Sequence, residues 1–111
     1  MFAQGVATMD HILREHLYQV GYNGKGFFFS EREIRIVVER AGRQTLKEDP
    51  RNPDNVTTVV VMPYAIGYAY ASARTPTCYA QVVYRALADG RIRLVTAFPV
   101  SESRATNLME Y

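Results

Sequence analysis

The sequence predicts one α+β domain, with two N-terminal helices packed on a curled, mainly antiparallel β-sheet of four strands or slightly more. Apolar residues recur at helical spacing in the first part of the chain, and from Val56 onward they alternate with a period of two. The 111 residues, of which 48% are hydrophobic, suffice for a single core. We expect one domain over residues 1–111, with helices over about 8–42, the sheet over about 56–100 and a fraying tail over 101–111.

The first helix is predicted over about residues 8–19, where Thr8 or Asp10 can cap its start. It ends at the run Gly21-Tyr-Asn-Gly-Lys-Gly26, because three glycines in six residues disfavour a regular element. Its apolar stripe consists of Ile12, Leu13, Leu17 and Val20.

The second helix is predicted from the capping box Ser30-Glu-Arg-Glu33. In such a box the Ser30 hydroxyl accepts the amide proton of the third helical residue, and the Glu33 carboxylate accepts that of Ser30. Gly42 is placed to end the helix, and the polar residues 43–55 are expected to form an exposed loop. The inward stripe is predicted to be Ile34, Val37, Val38 and Ala41.

Four later segments are rich in β-branched and aromatic residues, and turn residues separate them. The predicted strands are about Val56–Met62, Ile66–Ala71, Tyr79–Leu87 and Arg91–Phe98.

Asp89-Gly90 is a typical two-residue hairpin turn between the last two predicted strands. If these are its central residues, Val83 lies opposite Thr96 and Arg85 lies opposite Leu94. This register predicts that Gln81, Arg85 and Thr96 share one face of the sheet, whereas Tyr84 and Arg93 share the other.

Composition excludes several classes of protein. The single cysteine, Cys78, cannot form an internal disulfide or a multi-thiolate zinc site. No stretch approaches the roughly 18 consecutive apolar residues that a membrane helix needs, and no signal peptide is recognisable at the start. The net charge is only +2, but eleven of the thirteen basic residues are arginine, which suits phosphate recognition. A solvated sheet face would explain the arginines nearly as well.

The two histidines, His11 and His16, both fall in the first predicted helix. A histidine pair suits RNA cleavage, because one imidazole can take the 2′-hydroxyl proton while the other protonates the leaving 5′-oxygen. Lys25 can stabilise charge on the phosphoryl oxygens, and Thr96 can donate a hydrogen bond to the same group.

Each of these residues also has a purely structural explanation. Histidines in a helix are commonly surface residues, and a spacing of five places His11 and His16 about 140° apart on an ideal helix. Lys25 can be a solvated loop lysine, and Thr96 follows the parity of Leu94 and Phe98 and can be a half-buried structural threonine. We predict no metal site, since no acidic cluster accompanies the histidines.

The order of these motifs resembles that of the bacterial EndoU-type nucleases, within the broader barnase-, EndoU-, colicin- and RelE-like class of toxin ribonucleases. The resemblance covers about residues 8–100 and lies in His11-Ile-Leu-Arg-Glu-His16, Gly24-Lys25-Gly26 before Phe-Phe-Phe-Ser, and the closing hairpin that ends in Val95-Thr96-Ala97-Phe98-Pro99. These motifs are short, so their specificity lies in their occurring together in this order.

The resemblance implies a metal-independent endoribonuclease without a cofactor, which cleaves RNA, often tRNA, to 2′,3′-cyclic phosphate and 5′-hydroxyl ends. It implies His11, His16, Lys25 and Thr96 as catalytic residues. Some relatives carry a histidine near the lysine that this chain lacks, and Arg85 is the first candidate for that role. Arg85, Arg93 and Tyr84 are the expected substrate-binding residues.

Such domains commonly form the C-terminal part of large secreted proteins that act in contact-dependent inhibition and other bacterial competition. The resemblance therefore implies delivery by a larger protein, action in the cytoplasm of a target bacterium and neutralisation by a cognate immunity protein. The rival hypothesis is a non-enzymatic immunity or adaptor module that binds a protein partner through its sheet. A third is an RNA-binding domain without catalysis.

Overall fold

The structure, a computed structural model, describes residues 2–3, 26–69 and 75–110. The fold is α+β, but the predicted arrangement of two N-terminal helices on one sheet is wrong. One described helix precedes the main strands and the other follows them at the C-terminal end, and the strands form two sheets. The first predicted helix, over about 8–19, lies outside the described residues.

Helix α1 spans Glu31–Ala41, as predicted, and begins after Ser30. The predicted capping box takes a different form, because the Ser30 hydroxyl donates to the Glu33 carboxylate at 2.5 Å and makes no side-chain bond to a helix amide. Gly42 ends the helix with a right-handed φ of −64°. The predicted inward stripe is buried in full: Ile34, Val37, Val38 and Ala41.

The larger sheet has five strands in the order β1-β8-β7-β4-β3, in which only β1 runs parallel to its neighbour. Its strands are β1 (Phe2–Ala3), β3 (Lys47–Asp49), β4 (Asn52–Val61), β7 (Tyr79–Ala86) and β8 (Ile92–Val100). The predicted loop over 43–55 is therefore wrong in part, since β3 and the start of β4 pair as a hairpin there. Pro53 is compatible with β4 because the strand interior that pairs with β7 begins only at Asn55.

The turn between β7 and β8 is one residue longer than predicted. The Leu87 amide donates to the Arg91 carbonyl at 2.8 Å, so residues 88–90 form the loop. Gly90 has a φ of +86°, the left-handed conformation that glycine adopts at the end of such a three-residue loop. Arg85 consequently lies opposite Arg93, and not opposite Leu94 as predicted.

A bulge at Val95 then moves the register of β8 by one residue. Thr96 is opposite Val83, as predicted, because the longer turn and the bulge offset each other. Arg93, however, lies between the turn and the bulge, and its side chain is therefore on the same face as Arg85 and Thr96. The predicted parity of Thr96 with Leu94 is therefore wrong.

The smaller sheet has the order β2-β5-β6, with β2 at Phe27–Phe28, β5 at Gly67–Tyr68 and β6 at Pro76–Thr77. The strands of this sheet approach each other very closely, since a Cβ on Gly67 would lie 2.0 Å from the Phe27 carbonyl oxygen. The strand predicted over about 66–71 is thus Gly67–Tyr68 within the described residues, and it pairs outside the main sheet.

Helix α2 spans Glu102–Glu110, where a fraying tail was predicted. The Ser101 hydroxyl accepts the Arg104 amide at 3.3 Å, which is a serine N-cap. Ala105 and Leu108 are buried against Val59 and Val100 of the sheet. This contact stabilises a segment whose short apolar stripe gave too weak a helical pattern in the sequence.

The main core lies between α1 and the sheet face that carries Val60, Val82 and Leu94. The opposite sheet face carries Arg85 and Thr96, and α2 packs on the part of it that holds Val59 and Val100. Of the helices in the described ranges, none is long and apolar enough to span a bilayer.

Candidate functional site

The sheet face turned away from α1, which we call the polar face, brings together polar side chains from three strands. Strand pairing aligns Thr57 of β4, Gln81 and Arg85 of β7, and Thr96 with Arg93 of β8 on this side. Since side chains alternate between the two faces of a strand, the register alone determines this grouping. The structure thus brings together Arg85, Arg93 and Thr96 from the sequence-predicted site.

Arg85 and Arg93 are directly opposite each other on neighbouring strands, and both are exposed. Like charges in this position repel each other. The Arg85 Nε donates to Asn55 Oδ1 at 3.4 Å, and neither guanidinium takes part in an ion pair with the carboxylates of the described segments. The pair therefore presents two positive charges that an anion between them would stabilise.

Thr96 lies on the same face as the arginine pair and is half-buried. Its hydroxyl oxygen is buried and has no hydrogen-bond partner within the described ranges. A buried hydroxyl of this kind costs free energy, so it is a feature to be explained. A role toward a ligand on the polar face is one such explanation.

Gln81 is 1% exposed and connects the sheet to α2 through its side-chain amide. Its Nε2 donates to Thr57 Oγ1 at 3.1 Å, and its Oε1 accepts from Arg104 Nη2 at 3.1 Å. Thr57 in turn donates to the Val82 carbonyl at 2.8 Å. The buried chain of bonds holds the Arg104 guanidinium against the polar face.

A cleft of about 410 Å³ opens beside this guanidinium. The volume falls within the usual range of small-ligand sites. None of the described residues that line it carries a carboxylate, whereas Arg51 and Arg104 both contribute guanidinium groups. The lining also includes Gly26, Phe98, Ser101 and Asn107.

Tyr84 is completely buried on the α1 side of the sheet, so its predicted contact with substrate is wrong. Burial raises the pKa of its hydroxyl to about 12, and the side chain therefore stays neutral over the physiological range. On the other face, the negative charge of the Glu102 carboxylate raises the pKa of the Tyr79 hydroxyl, and burial raises it by a smaller amount.

His11, His16 and Lys25 lie outside the described residues, so the predicted acid–base pair and loop ammonium stay predictions. Gly26, which follows Lys25 in the chain, is buried and lines the cleft. A Cβ on Gly26 would lie within 2.8 Å of the Pro99 carbonyl oxygen, which shows how tightly this segment packs on β8.

Sequence reasoning missed Gln81, Arg104 and Arg51 as members of a common site. The signal for Arg104 was present, since Ser101-Glu-Ser-Arg104 is a helix start that the prediction of a tail overlooked. Arg51 lies in a turn between two strands of which the first was not predicted. No local pattern connects it with β8.

The described residues contain no group of three or more histidine, cysteine, aspartate or glutamate side chains arranged to hold a metal ion. The chain matches no known family model, no curated protein and no solved structure.

Proposed function

We propose that the chain is a metal-independent toxin endoribonuclease that cleaves RNA, with tRNA as the first candidate substrate. The observation that carries the proposal is the Arg85–Arg93 pair on the polar face beside the buried hydroxyl of Thr96, which has no hydrogen-bond partner among the described residues. A phosphodiester placed there would relieve the repulsion between the guanidinium groups and would give the hydroxyl an acceptor.

The proposed reaction is a transesterification within the RNA. One imidazole of His11 and His16 takes the proton of the 2′-hydroxyl, and the 2′-oxygen forms a bond to phosphorus. The bond from phosphorus to the 5′-oxygen breaks, and the other imidazole gives that oxygen a proton. The products are a 2′,3′-cyclic phosphate and a 5′-hydroxyl, and the proposed reaction uses neither an oxidant nor a metal.

Lys25, Thr96 and the arginine pair would stabilise the negative charge that grows on the non-bridging oxygens in the transition state. Arg85 is also the candidate for the position at which some EndoU-type relatives have a further histidine. In this proposal the chain acts in the cytoplasm of a target bacterium after delivery by a larger secreted protein. An immunity protein would protect the producing cell.

The direct test is to incubate the purified chain with total tRNA and a chelator, and to map the chemistry of the new ends. We expect cyclic phosphate and 5′-hydroxyl ends, which disappear in the double variant His11→Ala/His16→Ala. Arg85→Gln and Arg93→Gln should each lower the cleavage rate roughly 10- to 100-fold, since a hydrogen bond to a charged group contributes about 1.5–3 kcal/mol. Arg40→Ala, on the exposed side of α1, is the charge-matched control.

Undiminished cleavage by the double histidine variant would contradict the proposed chemistry. Salt-dependent retention of RNA without products would indicate an RNA-binding domain. If the chain neither cleaves RNA nor retains it, the result would favour a module that binds a protein partner.

A further inference from the structure

We infer that Asn55 is a positioning residue of the anion site on the polar face. Its side-chain oxygen fixes the direction in which Arg85 meets a phosphate of the RNA, whereas Arg93 supplies positive charge without such an anchor. The inference rests on the proposed function and deepens it, because it assigns different tasks to the two arginines. Asn55 acts on the RNA only through Arg85.

The first argument is the position of Asn55 in the sheet. Asn55 of β4 pairs with Arg85 of β7, and Arg85 pairs with Arg93 of β8, so the three residues form one row on the same face. Neighbouring strands lie about 4.7–4.9 Å apart, and residues directly opposite each other are close enough for their side chains to interact. Asn55 is therefore next to Arg85 and one strand farther from Arg93.

The second argument is the bond between the two side chains. The Arg85 Nε donates to Asn55 Oδ1 at 3.4 Å. The guanidinium is planar and its donors have fixed directions, so an arginine held at Nε presents its two terminal nitrogens to a ligand as a pair. Arg93 is also exposed, but within the described ranges no side chain is found to accept a hydrogen bond from its guanidinium. The two arginines of the pair thus differ in how they are held.

The third argument is that an asparagine is unusual at this position. Asn55 is only 9% exposed, whereas Arg85 and Arg93 in the same row are exposed. Asparagine is depleted in strands, and a buried amide costs free energy unless it is hydrogen-bonded. The bond to Arg85 gives the amide oxygen a charged donor, and bonds of this kind are stronger than those between neutral groups. Orientation of Arg85 is therefore a physical reason for an asparagine in β4.

The charge of the pair is not neutralised by the carboxylates of the described segments, since no ion pair there includes Arg85 or Arg93. Asp89, in the turn that joins β7 to β8, accepts the backbone amide of Arg91 at 3.1 Å and the Nε of the same residue at 2.7 Å. A phosphate between the two arginines would therefore meet one oriented guanidinium and a second positive charge. The oriented one loses less side-chain entropy on binding.

The test uses a 2′-O-methylated RNA hexamer, which lacks the free 2′-hydroxyl and cannot be cleaved. Its affinity for the full chain is measured by fluorescence anisotropy over a range of salt concentrations. We expect Arg85→Lys to weaken binding about 10-fold, because lysine keeps the charge but loses the planar fork. Arg93→Lys should weaken binding by no more than about 2-fold, because the charge alone is needed there.

Asn55→Ala should weaken binding roughly 3-fold, because 3.4 Å is long for a hydrogen bond and the contribution is modest. The salt slope should stay at the wild-type value, since no charge is removed. The decisive comparison is between backgrounds. Asn55→Ala should have no further effect in Arg85→Lys, where no guanidinium is left to orient, and its full effect in Arg93→Lys. An asparagine with a purely structural role would weaken binding equally in both.

Asn52→Ala is the matched control, because it makes the same change in the same strand. Asn52 accepts the Asp54 amide at 3.0 Å and lies outside the row, so this variant should bind the hexamer as the wild type does. If Asn55→Ala does not fold, as judged by thermal unfolding, Asn55→Ser provides the same comparison. Its hydroxyl is one atom closer to the backbone and would no longer reach the Arg85 Nε.

The inference is overturned if Asn55→Ala binds as tightly as Asn52→Ala, if its effect is the same in both lysine backgrounds, or if the wild type does not bind the hexamer. Cyclic phosphate products from tRNA, found together with equal effects in the two backgrounds, would leave the ribonuclease proposal intact. Conversely, a wild-type chain that does not cleave tRNA, but in which Asn55 acts through Arg85 alone, would support the positioning role and contradict the catalytic proposal.

Discussion

Thr96 and Thr57 are two threonines on the same sheet face with opposite hydrogen-bonding situations. The Thr57 hydroxyl donates to the Val82 carbonyl and accepts from Gln81, whereas the buried Thr96 hydroxyl has no partner in the part of the chain that the structure describes. A satisfied buried hydroxyl stabilises a fold, and an unsatisfied one costs free energy. The hydrogen bonds of the fold therefore account for the Thr57 hydroxyl, whereas a role toward a ligand is what we propose for that of Thr96.

We expect Thr96→Val to raise the free energy of unfolding by about 1 kcal/mol, because the change removes a buried hydroxyl that has no partner among the residues that the structure describes. The same change should lower the rate of tRNA cleavage at least roughly 10-fold if the hydroxyl serves the phosphate. Urea unfolding and end-mapped cleavage are the measurements. Thr57→Val is the control and should destabilise by about 1–3 kcal/mol. Equal destabilisation by the two valines would contradict this account.

The buried phenol of Tyr84 should make the stability of the fold decrease at alkaline pH. Its pKa is about 12 in the folded chain and 10.0 when exposed, so the unfolded chain loses the proton first. The contribution of the neutral phenol is fully present below pH 10 and decreases from there towards pH 12, by at most about 1.4 kcal/mol for each pH unit. Below pH 10 this group adds no pH dependence.

The measurement is urea unfolding of the wild type and of Tyr84→Phe between pH 9 and 11.5. We expect the wild type to lose more stability over this interval than the phenylalanine variant. Tyr64→Phe, at a side chain that is 44% exposed, should keep the wild-type dependence. A wild type and a Tyr84→Phe variant with parallel pH profiles would show that the phenol ionises freely in the folded chain.

Among the elements, α2 connects stability to the proposed site. Its apolar residues Ala105 and Leu108 cover Val59 and Val100, and its Arg104 reaches the polar face through Gln81. Packing of these two apolar residues and the part-buried bond from Arg104 to Gln81 both hold the helix on the sheet. Loss of the packing should displace the guanidinium as well.

We expect Leu108→Ala to lower the free energy of unfolding by about 2–4 kcal/mol, since Leu108 is 4% exposed and its truncation would leave a cavity between the helix and the sheet. Met109→Ala is the neighbouring control and should change stability by no more than about 0.5 kcal/mol, because Met109 is 48% exposed. Chemical denaturation measures both. A Leu108→Ala variant as stable as Met109→Ala would mean that the helix does not dock in solution.

At the scale of the whole molecule, the exposed arginines differ in whether a carboxylate pairs with them. Arg35 of α1 pairs with Glu31, and Arg43, just beyond the end of the helix, pairs with Glu39. Arg85 and Arg93 of the polar face form no ion pair with the carboxylates of the described segments. A net charge of only +2 is therefore compatible with a locally positive surface around Arg85 and Arg93.

The prediction at this scale is that inducible expression of the wild-type chain in bacteria, with no companion protein, arrests growth. Total RNA from these cells should acquire new cyclic phosphate ends. The double variant His11→Ala/His16→Ala should be tolerated at the same protein level, whereas Arg40→Ala should remain toxic. Normal growth with soluble wild-type protein at that level would oppose a toxin function.

The sequence by itself determined the elements whose pattern is local. The α+β class, the inward stripe of α1 and the positions of β4, β7 and β8 follow from periodicity, because one buried face imposes a repeat of 3.6 or 2 residues. The order of the motifs along the chain also led to the EndoU-type hypothesis and to the prediction of Thr96 as a site residue. It did not reveal α2, whose nine residues carry only a short apolar stripe and depend on Val59 and Val100 for burial.

Only the tertiary structure decided which side chains share the polar face. A one-residue change in the turn at Gly90 and a bulge at Val95 moved Arg93 from the predicted face to that of Arg85, and such irregularities leave no mark in the alternation of apolar residues. The cleft likewise joins Arg51, Phe98 and Arg104, which are far apart in the chain. Their proximity depends on strand pairing and on the docking of α2, and long-range packing of this kind is not encoded in any short window of sequence.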